Sequence, residues 1–150
     1  QVIETELRMA MEQATITVMA AAKENAPVGA TGHLRAGINR AIEGQGADLI
    51  GIIAPGSATA NYNLPVETGS RPHWAPIAPL KLWARAVLGD EGAAYAVQAS
   101  IAKHGTSMNA WRKHGSMGYH YMQFAADEEQ HKVDMFFNAA MGRAAARIGI

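Results

Sequence analysis

Six histidines are the first side chains in this sequence that could do chemistry, because neutral imidazole is the commonest protein ligand for zinc and related metals. Glu128 and His131 stand three residues apart, the spacing used on helices by di-iron carboxylate sites. Such a site needs two pairs of this kind and two more carboxylates, and the sequence offers no second pair. We therefore expect no metal and no other cofactor, and interpret Glu128 and His131 as an exposed polar helix face.

A second group of chemically capable residues is the run Arg71, Pro72, His73 and Trp74. An aromatic ring beside a titratable ring on a proline-stiffened loop could line a pocket, or it could be the tip of a contact surface. Protein interfaces are enriched in tryptophan, tyrosine and arginine, which bury a large area at modest entropic cost. The contact interpretation is therefore favoured over the pocket, and a Trp74 that is simply packed is the third interpretation.

Nucleophilic catalysis would need an exposed serine on a strained turn with a base nearby. The nearest candidate is Ser116, in Gly-Ser-Met-Gly, which is not the Gly-x-Ser-x-Gly pattern and follows no predicted strand. We interpret Ser116, His114 and His120 as loop residues. The alternative function of a different class is a small hydrolase with His73 or His114 as its base. A hydrolase with paired carboxylates also stays open, since no spacing selects a pair.

The segment 111–121 mixes basic and aromatic side chains, a combination that stacks on single-stranded bases when it is concentrated. Its members are Trp111, Arg112, Lys113, His114, Tyr119, His120 and Tyr121. Thirteen basic residues balance thirteen acidic ones over the whole chain, so the general attraction to phosphate is missing. We expect an arm that orders against a protein neighbour, and no direct sequence-specific binding of nucleic acid.

The composition is that of a globular protein, with 49% hydrophobic and 17% charged residues in 150. One domain, residues 1–150, is the expected organisation. Cysteine is absent, which excludes disulfides and thiolate sites. No apolar run approaches the roughly 20 residues of a membrane span, so we expect no membrane partner.

The elements that must position these residues are predicted from periodicity and from glycine and proline. Apolar residues at alternating steps of three and four predict a helix over residues 3–22, which Pro27 follows as a stop. Two strands are predicted over residues 34–43 and 47–54, joined as an antiparallel hairpin by a turn at Gln45 and Gly46.

The rest of the chain is predicted to be mainly helical, so the expected fold class is α+β with a small antiparallel sheet. The segments are a short extended stretch at 61–67, helices at 80–88 and 91–104, an exposed loop or arm at 105–118, and a long last helix at 124–148. The expected architecture has a long helix at each end of the chain and two central helices between them.

Several short motifs together resemble the tail-completion family of long-tailed bacteriophages, whose members are also described as head-tail joining, neck or minor tail components. The first motif follows the predicted first helix, the second leads from a tyrosine into a glycine turn, the third is helical and the fourth is a Gly-Thr turn. They comprise Ala26, Pro27, Val28, Thr31, Gly32, Leu34, Arg35 and Ile38; Asn61, Tyr62, Pro65, Val66, Glu67, Thr68, Gly69, Ser70 and Arg71; Leu80, Leu82, Trp83 and Ala84; and Gly105 and Thr106. The match covers most of residues 24–106, and the chain departs from the family after Thr106, where the stretch before the last helix is longer.

This resemblance implies a non-enzymatic virion protein, synthesised in the host cytoplasm, that forms a ring in the neck or tail. Its implied partners are copies of itself, with a hexamer as one ring order, and neighbouring phage neck and tail proteins. A tail terminator or a head-closure ring is the alternative within the same class. The expected contact residues are Glu67, Arg71, His73, Trp74, Trp111, Arg112 and Tyr119.

Overall fold

The structure, a computed structural model, describes residues 1–29, 31–106 and 120–149, with only the backbone described for residues 60–63. Its helices are α1 (Val2–Asn25), α2 (His33–Gly37), α3 (Ala60–Thr68), α4 (Ile77–Leu88), α5 (Ala93–His104) and α6 (Tyr121–Ile148), and its strands are β1 (Asn39–Glu43) and β2 (Ile50–Ala54). The expected α+β class is confirmed, with a long helix at each end of the chain and a small antiparallel sheet and shorter helices between them; α4 and α5 are the two predicted central helices.

Contacts divide the chain into two compact units. The first unit comprises Gln1–Asn25, Ile38–Ala54 and Met122–Ile150, and the second comprises Ala26–Gly37 and Pro55–Tyr121. The single-domain organisation stays a prediction.

In the first unit, α1 packs against the hairpin through a close approach at Gly51. A Cβ at Gly51 would lie 2.6 Å from Thr15 Cγ2 and 2.7 Å from Met11 Sδ, so a side chain there would push α1 away. On the neighbouring strand, Arg40 Nη1 reaches Glu12 Oε2 at 2.6 Å and Thr15 Oγ1 at 3.2 Å. These contacts fix which face of the hairpin α1 covers.

The hairpin was predicted correctly as antiparallel, but its strands are shorter than predicted. Ala41 pairs with Ile52 at the centre of the ladder. The predicted strand at 34–43 is wrong over its first half, where α2 forms: the Thr31 hydroxyl accepts a hydrogen bond from the His33 N–H at 3.4 Å, as at a helix start. The connection is also longer than a two-residue turn, because residues 46–48 form one turn of 3₁₀ helix.

Helices α1 and α6 run antiparallel within the first unit. Glu6, near the start of α1, pairs with Arg143 and Arg147 near the end of α6, and Asn25 at the end of α1 donates to Glu128 near the start of α6. Small residues are buried on the same faces as these pairs: Ala10 and Ala14 on α1, and Ala140 and Ala144 on α6. The first predicted helix is confirmed, and α6 begins three residues before its predicted start.

The second unit contains α2, α3 and the paired helices α4 and α5. The extended stretch predicted at 61–67 is wrong, since α3 occupies it despite Pro65 and ends before Gly69 at φ +81°. The predicted helix at 80–88 is correct but begins earlier, at Ile77, and ends at left-handed Gly89. Within the described residues, no helix has the length and apolar character needed to cross a bilayer.

Candidate protein-contact site

The second unit brings the C-terminal end of α3 together with the C-terminal end of α5. After α3 the backbone turns at Gly69, and the carbonyl of Glu67 accepts a hydrogen bond from the His120 N–H at 2.9 Å. The next residues, 70–75, form what we call the Trp74 segment. Of the residues predicted to make contacts, Glu67 lies near the end of α3, and Arg71, His73 and Trp74 lie on the Trp74 segment that follows.

Ser70 and Thr106 hold the beginning of the Trp74 segment. The Ser70 N–H donates to Thr106 Oγ1 at 2.8 Å, and the Thr106 N–H donates to the Ser70 carbonyl at 3.2 Å. The two hydroxyl oxygens are also 2.8 Å apart, so one donates to the other. This pairing satisfies backbone groups that no regular element would satisfy.

Gly105 makes this approach possible. Its φ is +75°, and a Cβ at this position would overlap the Ser70 carbonyl oxygen. Its N–H caps α5 by donating to the Ile101 carbonyl at 2.8 Å. Gly105 is buried, so the predicted exposed loop at 105–118 is wrong at its first residue, and the described structure resumes at His120 after Thr106.

Two contacts of His73 fix the middle of the segment. Its Nδ1 lies 2.8 Å from the Arg71 carbonyl oxygen, which can only accept, so the ring donates through Nδ1. A neutral ring then carries its lone pair on Nε2. The His73 N–H also donates to the Ile101 carbonyl at 3.4 Å, a long hydrogen bond to the end of α5.

The end of the segment is held by a buried polar side chain. Gln98 Nε2 donates to the Ala75 carbonyl at 2.7 Å, and both residues are buried. Between His73 and Ala75, Trp74 is 71% exposed. Backbone anchors on both sides thus hold a large aromatic side chain in water, and the packed interpretation of Trp74 is wrong.

The neighbouring α4–α5 hairpin presents charged and apolar groups to solvent. Glu91 accepts from Arg85 in an ion pair and lies 3.9 Å from Lys81. The hydrogen bond from Arg85 and then its charge hold the pKa of Glu91 below its ordinary value, against a smaller opposing effect of desolvation. Leu82, Leu88 and Tyr95 are each more than half exposed. Val87 is also exposed, and it lies beside Leu88 at the end of α4.

Gln98, which supports the end of the Trp74 segment, was not predicted from the sequence. It occupies the same face of α5 as Ala94 and Ile101, at helical spacings of four and three, and all three residues are buried. A polar amide within an apolar helical stripe is a signal that could have identified it, because a buried amide needs a hydrogen-bond partner. The predicted contact residues Trp111, Arg112 and Tyr119 lie outside the described residues.

The acid and histidine on α6 are placed as exposed polar groups. Glu128 Oε2 accepts a hydrogen bond from Asn25 Nδ2 at 3.1 Å, and His131 is exposed. In the described ranges, no group of three or more histidine, aspartate or glutamate side chains is arranged to hold a metal ion.

Comparisons with protein-family models, with curated proteins and with solved structures find no match to this chain.

Proposed function

We propose that this chain is a non-enzymatic structural protein of a tailed-phage virion, a ring subunit that completes the tail or joins it to the head. The observation that carries the proposal is the 71% exposure of Trp74 on a segment anchored at Ser70, His73 and Ala75. A contact surface would cover Trp74 with the neighbouring subunit or the adjoining ring.

Anchoring matters because binding must offset the loss of conformational freedom in both partners. A loop that is already ordered loses less freedom on binding, so more of the burial energy appears as affinity. Tryptophan and arginine are the residues on which truncation most often weakens an interface. Trp74 and the exposed Arg71 fit that role together.

The motifs that carry the family resemblance also build the scaffold of the second unit. In the first motif, the Arg35 guanidinium donates to the Ala26 carbonyl through Nε at 3.2 Å and Nη2 at 2.6 Å, closing the loop between them. The second and fourth motifs meet through Ser70 and Thr106. Motif residues far apart in sequence therefore act together on one segment, which supports the view that they belong to one pattern.

A tail terminator or head-closure ring remains the alternative within the structural class, since both stack in the same assembly and require two different contact faces. The alternative of a different class, a hydrolase, depends on His73 or on His114, which lies outside the described residues. Its support is the lone pair that a neutral His73 keeps on Nε2.

The proposal is tested with Arg71→Ala and Trp74→Ala, introduced together into a phage that lacks its own copy of the chain. The variant should fold as the wild type does, because both side chains are exposed, while infectious particles are lost and separate heads and tails accumulate. Tyr95→Ala removes another exposed aromatic, 57% exposed on α5, and serves as the matched control. Normal yields of infectious particles from the double variant would refute the assignment.

A further inference from the structure

Among the residues that the structure describes, only β1 pairs with β2, so the other edge of β2 has no partner strand there. Within the described residues the sheet consists of β1 and β2 alone. In an antiparallel pair, alternate residues direct their N–H and C=O groups away from the partner. The outer edge of β2 therefore offers backbone groups that a further strand could pair with.

Strand β2 also lacks the charged and proline residues that keep an exposed edge strand from pairing with another chain. Strand β2 reads Ile50, Gly51, Ile52, Ile53 and Ala54, with neither charge nor proline, and Ile50 is 58% exposed. By contrast, β1 carries Arg40 and Glu43. Charged side chains and proline are the usual protection of an edge strand in a monomer, so the unprotected strand is β2.

The two faces of β2 are distinct. Arg40 contacts α1, and Gly51 lies against Met11 and Thr15, so Gly51 and Ile53 share the face toward α1. Ile50, Ile52 and Ala54 lie on the opposite face. A strand that pairs here must match this alternation.

We propose that β2 pairs antiparallel with β2 of a second copy of this chain, about a two-fold axis at Ile52. In that register Ile50 lies opposite Ala54, Gly51 opposite Ile53, and Ile52 opposite its own equivalent. Each residue on the α1 face of one copy then lies opposite a residue on the α1 face of the other copy. The contact is self-complementary, as two-fold symmetry requires.

Charge selects a second β2 as the occupant. Pairing β2 with β2 places no charged residue opposite an isoleucine and leaves Arg40 and Glu43 on the outer strands of a four-stranded sheet, where they protect its edges. Pairing through β1 would instead place those charges in the contact. The inference is independent of the proposed function, because the isolated chain is expected to pair in solution.

The test is sedimentation equilibrium of the full chain over a wide range of concentration. Wild type should reach twice the chain mass of 16.0 kDa, and Ile52→Lys should remain at the chain mass, because two like charges would meet on the axis. Ala41→Lys is the matched control. Ala41 is exposed and lies opposite Ile52 on the same face, but on β1, so this variant should still form the dimer.

Two variants with opposite charges at position 52 distinguish a loss of pairing from a loss of folding. Ile52→Lys mixed with Ile52→Glu should recover the double mass, because opposite charges then meet on the axis, while circular dichroism reports the helical content of each variant alone. A wild type that stays at the chain mass at every concentration would overturn the inference. So would association of Ile52→Lys equal to that of wild type.

Discussion

Ser70 and Thr106, 36 residues apart in sequence, exchange backbone and side-chain hydrogen bonds in both directions. The pairing joins the residue that begins the Trp74 segment to the residue that follows the cap of α5. The geometry of an exposed tryptophan therefore depends on a hydroxyl contributed by a distant part of the chain.

Thr106→Val should loosen the Trp74 segment at little cost to global stability. Valine has nearly the shape of threonine but no hydroxyl, so the Ser70 N–H loses its acceptor and turns to water. We expect a loss of about 0.5–1.5 kcal/mol in the free energy of unfolding and faster hydrogen exchange at Ser70. The control is Thr68→Val, because the Thr68 hydroxyl bonds within α3 to the Leu64 carbonyl. Equal exchange rates at Ser70 in both variants would contradict the role given to Thr106.

Gly105→Ala should be strongly destabilising for two reasons, the left-handed backbone at Gly105 and its close approach to Ser70. The same substitution at Gly89 tests the first reason alone. Gly105 has φ +75° and its Cβ would overlap Ser70 O, whereas Gly89 has φ +72° and a Cβ there would meet nothing within 4 Å. Gly89→Ala should cost about 1 kcal/mol for the left-handed backbone alone, and Gly105→Ala roughly 2–4 kcal/mol. Urea denaturation measures both, and similar losses would show that the close approach to Ser70 is unimportant.

The buried carboxylate of Glu6 should stabilise the pairing of α1 with α6. Glu6 is 1% exposed; Arg143 Nε donates to its Oε2 at 2.7 Å, and Arg147 Nη1 lies 2.8 Å from its Oε1 without hydrogen-bond geometry. Glu6→Gln should lower the free energy of unfolding by about 1–3 kcal/mol, a value discounted because both arginines are partly exposed.

A double-mutant cycle with Arg143→Ala isolates this pair, since coupled residues give a combined loss that differs from the sum of the single losses. Glu4→Gln removes a carboxylate from an exposed position of the same helix and is expected to be nearly neutral. Additive losses from Glu6→Gln and Arg143→Ala would argue against a specific pair.

The Arg85–Glu91 pair should give the α4–α5 hairpin a pH dependence of defined sign. Because the pKa of Glu91 is lowered in the folded chain, its contribution is complete above the unfolded-state pKa of about 4.3. It is lost as the pH falls through the lower folded-state value. Carboxyl chemical shifts measured by NMR should show the low midpoint, and both Arg85→Ala and added salt should raise it. A midpoint unchanged by Arg85→Ala would remove the assigned cause.

His73→Ala discriminates between the structural proposal and the hydrolase. We expect the purified chain to show no turnover of generic ester or peptidoglycan substrates, and His73→Ala to behave as the wild type does in the same assay. His131→Ala is the control for loss of an exposed histidine. Robust hydrolysis that is lost in His73→Ala but kept in His131→Ala would establish the enzyme instead.

Much of the fold could be predicted from the sequence, because the long helices and the hairpin have local signals. The helical repeat of α1 continues to Asn25 before Pro27, and the dense isoleucines of β2 mark a strand. Errors fell where a local signal was ambiguous. An extended stretch is predicted at residues 61–67, yet this segment forms α3, which gives up one backbone hydrogen bond at Pro65.

The exposed residues of the candidate site could be predicted from the sequence, whereas the residues that hold the Trp74 segment in place could not. Trp74 and Arg71 are recognisable by residue type, which is a local property. The bonds that hold them come from Gln98, Ile101 and Thr106, and sequence spacing does not show which distant polar group will reach a given backbone atom. In the sequence, the Gly105–Thr106 turn is indicated only by the family resemblance.

The pairing of α1 with α6 also has a consequence for the order of folding. Glu6 and Arg143 are 137 residues apart, so their contact closes a very long loop. The entropic cost of closure rises with loop length, and distant contacts slow folding. During synthesis the face of α1 that carries Glu6 must wait for α6 to leave the ribosome, while α4 and α5 are complete long before. We expect α4 and α5 to gain protection from hydrogen exchange before the contact between α1 and α6 forms.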